Sequence, residues 1–162
     1  PRLLSSAASD VYKRQVPINT QIKALSSFKG VSKRTDLVCE VDGIKVFDDF
    51  AHHPTAIKSS INSIKETFTG KKLLTIFVPG SNSMRLGVHN DQLVPSLKKS
   101  DRALVLTRFM PLKRLMGNNI KINVIETEAQ IRDYLDKENN FDIVLVLSNR
   151  NTENILRYIK NG

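Results

Sequence analysis

The chain has 162 residues, 40% of them apolar, with a formal charge of +9. That length can bury one sizeable core. No run approaches the ~18 apolar residues of a membrane span, and one cysteine, Cys39, excludes an internal disulfide framework. The charge suits a polyanion, a nucleotide or an acidic substrate. A nucleic-acid-binding module is one alternative, but no such motif is present and the aromatics are not interleaved with the basic residues. Without a secretory signal the expected location is cytoplasmic.

Residues 1–15 read differently from the rest. Asp10-Val11-Tyr12-Lys13-Arg14-Gln15 matches a translated transposase-end sequencing adapter (GAT GTG TAT AAG AGA CAG), so 1–15 is taken as an artefact, expected to be disordered, rather than a natural basic arm. Arg2, Lys13 and Arg14 against Asp10 account for +2 of the charge, leaving +7. A natural protein is expected to continue upstream of Val16.

From Ile18 to Phe28 a short apolar periodicity, with Ile22 and Leu25 on one face, predicts a brief helix. A basic loop follows through Lys33, Arg34 and Thr35. Leu37–Val41 and Ile44–Asp48 flank Asp42-Gly43, a strong hairpin signal, so the first strand is expected antiparallel to the second. Cys39 falls in the first of these strands and reads as a buried thiol. Pro54 suits a first helical turn, and Ile57, Ile61, Ile64 and Phe68 form an apolar stripe ending at Gly70. Leu73–Val78 is a continuous apolar strand, followed by a polar loop from Pro79 to Ser83. A short helix from Gln92 to Lys98 and strands at Ala103–Thr107 and Ile120–Ile125 come next, with an irregular basic connection, Met110–Asn119, between the strands. A helix from about Glu128 to Lys137, a strand from Phe141 to Leu147 and a final helix from Thr152 to Ile159 complete the pattern. The alternation predicts one α/β domain over residues 16–162. Its sheet should be mostly parallel and Rossmann-like, with an antiparallel first strand and flanking helices.

Asp48-Asp49-Phe50-Ala51-His52-His53-Pro54 lies where a strand ends and a helix begins. Ligands of open α/β sheets bind at strand carboxyl ends, and exposed helix-start amides favour anions. Three readings are open. Asp48, Asp49, His52 and His53 could ligate a metal in a phosphoesterase-like centre. One histidine could cap the helix while the other packs on the sheet. Or Asp49 and His52 could contact a nucleotide. No nucleophile elbow, Walker A loop or Gly-x-Gly-x-x-Gly fingerprint is present.

Three segments carry a family resemblance. They are Phe28-Lys29-Gly30-Val31 with Arg34; Asp48 to Ile57 with its paired histidines; and Ser81-Asn82-Ser83-Met84-Arg85-Leu86-Gly87-Val88-His89. Together they resemble the C-terminal domain of Mur ligases, and among these the murein tripeptide ligases. The resemblance covers Phe28 to about Leu147. It implies a three-domain enzyme whose N-terminal and central domains are not in this sequence. Such enzymes join L-alanyl-γ-D-glutamyl-meso-diaminopimelate to UDP-N-acetylmuramate through an acyl phosphate, using ATP and Mg²⁺ bound mainly by the central domain. It also implies a place in peptidoglycan recycling, hence in cell wall biogenesis, cell shape and division, with no nucleic-acid or membrane partner. This segment alone is expected to be inactive, with no catalytic residue and no metal ligand of its own.

By the same resemblance Arg34, Asp49 and His52 correspond to nucleotide contacts. His53, Asn82, Ser83, Arg85, Ser148 and Asn149 correspond to substrate contacts. The chain departs from the pattern at four places. Val78 stands where glutamate is general, Gly80 where arginine is, and Arg85 where lysine is usual. Arg150-Asn151-Thr152-Glu153 replaces a glycine-rich run.

Overall fold

The computed structural model describes residues 17–27, 33–86, 88–108, 121–138 and 140–160. The expectations for 1–15, for Phe28 to Val31, for Gly87 and for the connection at 110–119 lie outside the described residues, as do the side chains of Leu25, Ser83, Arg85 and Asn90. Contacts divide the chain into two units, Pro1–Val31 and Ser32–Gly162. In the first, α1 spans Ile18–Ser27, and Ile18 and Ile22 are exposed on it.

The second unit carries six strands: β1 (Asp36–Val41), β2 (Ile44–Asp49), β3 (Leu73–Val78), β4 (Arg102–Leu106), β5 (Ile122–Ile125) and β6 (Ile143–Ser148). They form one sheet in the order β1-β2-β6-β3-β4-β5. Only β1 is antiparallel, to β2; the other neighbours run parallel. The β1–β2 turn puts Asp42 at φ 51° and Gly43 at φ 79°. Two left-handed residues match the strand twist, which is why Asp-Gly closes this hairpin. β1 is an edge strand, so Cys39 is half-buried rather than buried.

Among the described residues five helices flank this sheet: α2 (Pro54–Thr67), α3 (Asn82–Arg85), α4 (Asn90–Leu97), α5 (Ala129–Lys137) and α6 (Glu153–Lys160). Alternate residues of the inner strands point to opposite faces. Phe47, Phe77, Val105 and Leu145 pack with Ile57, Ile61 and Ile64 of α2 and Leu93 of α4. Val46, Ile76, Leu104 and Val146 pack with Ile131 of α5 and Ile155 of α6 on the other face. Each fully buried aliphatic side chain contributes roughly 1.5–3 kcal/mol relative to exposure. Phe68, the predicted end of the α2 stripe, becomes its C-cap and lies 5.6 Å from the Phe47 ring.

The amino end of the sheet is tied by carboxylates. Asp101 accepts from Lys65 Nζ and Leu73 N, and Asp142 accepts from Lys71 Nζ and Lys72 N. The carboxyl end carries the exit loops of β2, β3 and β6. One of them holds a helix where a loop was expected. Ser81 Oγ accepts from Met84 N at 3.4 Å, and Met84 is buried, so Asn82–Arg85 winds one turn.

Candidate functional site

β2 leaves the sheet into α2 on one face, while its neighbour β6 leaves into α6 on the other. The carboxyl ends of β2 and β6 therefore flank a switch point, where open α/β sheets bind ligands. Asp48 and Asp49 end β2, and strand alternation sends their side chains to opposite faces.

Asp49 is buried on the α2 side, and its two oxygens are heavily used. Oδ2 accepts from Thr35 Oγ1 at 2.7 Å and Ser60 Oγ at 3.1 Å, and Oδ1 accepts from Ala51 N at 2.7 Å. This carboxylate thus joins three segments: the loop before β1, the exit of β2 and the second turn of α2. The loop needs that restraint. Lys33 and Thr35 sit at φ 58° and 53°, and a β-branched residue in the left-handed region is strained. Phe50 N donates to Lys33 O at 2.8 Å and Lys33 N to Asp36 Oδ2 at 2.6 Å, completing the clamp. Between the two strained residues Arg34 is exposed. It stands on the rim of a cleft of about 420 Å³ lined also by Asp49, His52, His53, Ala56 and Ser60.

The two histidines diverge. His52 Nδ1 lies 3.0 Å from Phe50 O, and its ring meets Phe50 edge-on. His53 is the N-cap of α2, its Nδ1 accepting from Thr55 N at 3.4 Å. Its ring also lies 4.6 Å from that of His89. Among the described residues no three of His, Cys, Asp and Glu converge as metal ligands. The metal reading of Asp48, Asp49, His52 and His53 therefore finds no geometry here: the carboxylates face opposite ways and the imidazoles have separate partners.

Asp48, on the α6 side, accepts from Thr152 Oγ1 at 3.0 Å through Oδ2, with Lys33 Nζ at 3.8 Å. Its Oδ1 is buried without a partner. Burial lifts the Asp48 carboxyl above its ordinary value of 3.8, and the Thr152 hydroxyl and the Lys33 ammonium offset only part of that. The raised folded value means the unfolded chain releases this proton first. Stability is therefore lost as pH rises from 3.8 through the folded value. Asp48→Asn keeps an acceptor for Thr152 but has no charge to bury. We expect its melting temperature to fall less than the parent's between about pH 4 and pH 7; equal declines would contradict this.

Ser148 is fully buried and donates to Val78 O at 3.2 Å while accepting from Arg150 N at 3.0 Å. Its hydroxyl thus ties β6 to β3 and fixes the start of the exit loop. Asn149 is half-buried beside it, and Asn82 is exposed on α3. A second cleft of about 480 Å³, on the α6 side of β2, is lined by Lys33, Asp48, Asn149, Arg150 and Thr152. A third, of about 460 Å³, opens at the opposite end of the sheet beside Gly43 and Asp142, away from every predicted site residue.

Residues 33–150 match the family model described as Mur ligase, glutamate ligase domain. The chain belongs to the Mur ligase family. A Haemophilus influenzae UDP-N-acetylmuramate–L-alanyl-γ-D-glutamyl-meso-2,6-diaminoheptandioate ligase is 38% identical over 92 residues, which is 56% of this chain and 20% of that protein. A Clostridium novyi UDP-N-acetylmuramate–L-alanine ligase is 36% identical over 86 residues, 53% of this chain and 19% of that protein. The solved murein peptide ligase of Psychrobacter arcticus superposes with a TM-score of 0.77 at 29% identity, over 95% of this chain and 35% of that one. The chain thus spans about a fifth of the length of the curated relatives it matches.

In this Mur ligase C-terminal domain Gly80 and Arg150, two positions read above as departures, touch. A Cβ at Gly80 would collide with Asn149 Oδ1, and Arg150 Cγ would lie 2.8 Å from it. The space a side chain at position 80 would need is taken first by Asn149 and then by the stem of Arg150. Reasoning from sequence missed Lys33, Thr35, Ser60, His89 and Thr152 as members of the carboxyl-end network. The positions of Lys33 and Thr35 on either side of Arg34 were the available signal. Nothing local marked Ser60 or Thr152.

Proposed function

We propose that the chain is the C-terminal domain of an ATP-dependent ligase that joins L-alanyl-γ-D-glutamyl-meso-diaminopimelate to UDP-N-acetylmuramate in peptidoglycan recycling. The observation that carries the reading is the cleft with Arg34 on its rim and Asp49 on its floor, at the switch point of a Mur ligase domain. The relatives named as tripeptide and peptide ligases support this choice of substrate. ATP would supply a phosphoryl group to the muramyl carboxylate; the peptide amine then forms the C–N bond as phosphate leaves and the amine gives up its proton. Arg34 would pair with a phosphate oxygen as a permanent cation. A carboxylate offers roughly four acceptor positions. Asp49 has three bonds from Thr35, Ala51 and Ser60, so about one acceptor position remains for a ribose hydroxyl. His52, beside Phe50, would border the nucleotide. His53 and the loop carrying Asn82, Ser83 and Arg85 would lie toward the peptide, with Asn149 placed by Ser148.

By the family resemblance, Mg²⁺ would be held mainly by the central domain of such enzymes. We propose that the chain alone does not turn over ATP. No helix among the described residues is long and apolar enough to cross a membrane.

In the complete protein, Arg34→Ala should raise the Michaelis constant for ATP about ten- to a hundredfold, the loss of one charged hydrogen bond. That for peptide should barely change. Steady-state kinetics varying each substrate in turn test this, and unchanged ATP kinetics would remove Arg34 from the nucleotide site.

A further inference from the structure

We infer that Arg150 is a carboxylate-binding residue for the incoming peptide, held over a glycine that exists to admit it. This rests on the ligase reading above and names a residue that reading does not use. Arg150 is exposed, but its backbone is held at both ends. Its backbone N–H donates to Ser148 Oγ at 3.0 Å, and its carbonyl accepts from Lys33 Nζ at 3.1 Å. Its guanidinium Nη2 lies 3.4 Å from Gly80 O. Gly80 has no side chain because the Asn149 amide and the Arg150 stem fill the position. Three bonds, to Ser148, Lys33 and Gly80, thus hold this residue at the junction of the β3 and β6 exits, one of them through the cation itself.

Long side chains lose rotamer freedom when fixed, so a restrained guanidinium loses less on binding a ligand than a free one. The 3.4 Å contact to Gly80 O engages one of five N–H donors and leaves a paired set for a planar acceptor. A carboxylate matches that fork with two parallel bonds. Such a carboxylate is what an acidic peptide offers.

The test is nitrogen–proton correlation NMR of the 162-residue chain, titrated with L-alanyl-γ-D-glutamyl-meso-diaminopimelate and with its fully amidated analogue. The Arg150 Nε–H signal and the Gly80 and Asn149 amides should move with the acid and not with the amide. Arg150→Gln should weaken binding about tenfold, with the spectrum reporting that the fold is retained. Arg150→Lys should recover part of that loss, because the charge returns without the fork. Gly80→Ala, which displaces Asn149 and Arg150 without removing them, should also weaken binding. If the peptide binds the parent and Arg150→Gln equally, Arg150 is not in the site while the ligase reading stands. If the peptide moves no signal at all, the preformed junction is refuted, and the ligase reading is judged separately by product formation in the complete protein.

Discussion

Asp49→Ala is expected to lower the stability of the chain by roughly 3 kcal/mol. The replacement removes acceptors from three donors at once, and one of them, Ala51 N–H, is buried. Without the bond from Thr35 Oγ1, the left-handed conformation at Thr35 loses its restraint, and the strained loop relaxes. Arg34 is carried by that loop, so nucleotide use in the complete enzyme should fall at least ten- to a hundredfold through position as well as contact. Asp49→Asn, which keeps two or three of these bonds, should lose less on both counts. Thr35→Val and Ser60→Ala should each cost about 1 kcal/mol. Urea denaturation of the four variants checks the order. A parent-like midpoint for Asp49→Ala would show that the carboxylate does not hold the loop.

Phe77→Ala should cost about 3–5 kcal/mol. Phe77 lies near the carboxyl end of β3, flanked in register by Val105 of β4 and Leu147 of β6, and is fully buried. Its ring fills the layer beneath α2 and α4, where no polar group or solvent can take its place. A loss of this size is a large share of the roughly 5–15 kcal/mol typical of a domain. Because β3 leads directly to Gly80 and the Ser81 cap, the loop at its exit should lose order before the chain unfolds globally. Equilibrium unfolding measures the first effect, and amide hydrogen exchange of residues 78–84 the second. A cost below about 1 kcal/mol would contradict the packing.

Much of this fold is legible in the order of residues. Asp42-Gly43 marks its hairpin because only residues tolerant of positive φ can close so tight a turn. β3 runs from Leu73 to Val78 as its unbroken apolar run predicts, and the α2 stripe is buried where its spacing places it. Strand order was not legible. Periodicity says which face a residue takes, not which strand lies beside it, so the insertion of β6 between β2 and β3 could not be read from pattern. The single turn of α3 was missed because its capping serine and buried Met84 are only three residues apart, too short for a period.

The candidate site was legible as a list of residues and not as a network. Asp48 and Asp49 are adjacent in sequence, and composition alone suggested a shared metal. Alternation separates them, and the groups that complete each come from far along the chain: Thr152 for Asp48, Thr35 and Ser60 for Asp49. His53 and His89 were likewise brought together by folding rather than spacing. Gly80 and Arg150 read as separate departures until the structure put them in contact.

The activity proposed for the complete protein is the joining of an acidic tripeptide to a UDP-muramyl carboxylate. It is tested most directly by incubating the complete protein with UDP-N-acetylmuramate, ATP, Mg²⁺ and either the tripeptide or L-alanine. The products are then weighed by mass spectrometry and ADP is counted. UDP-N-acetylmuramyl-tripeptide is expected in equal amount to ADP, with little product from L-alanine. Product from L-alanine but not from the tripeptide would contradict it.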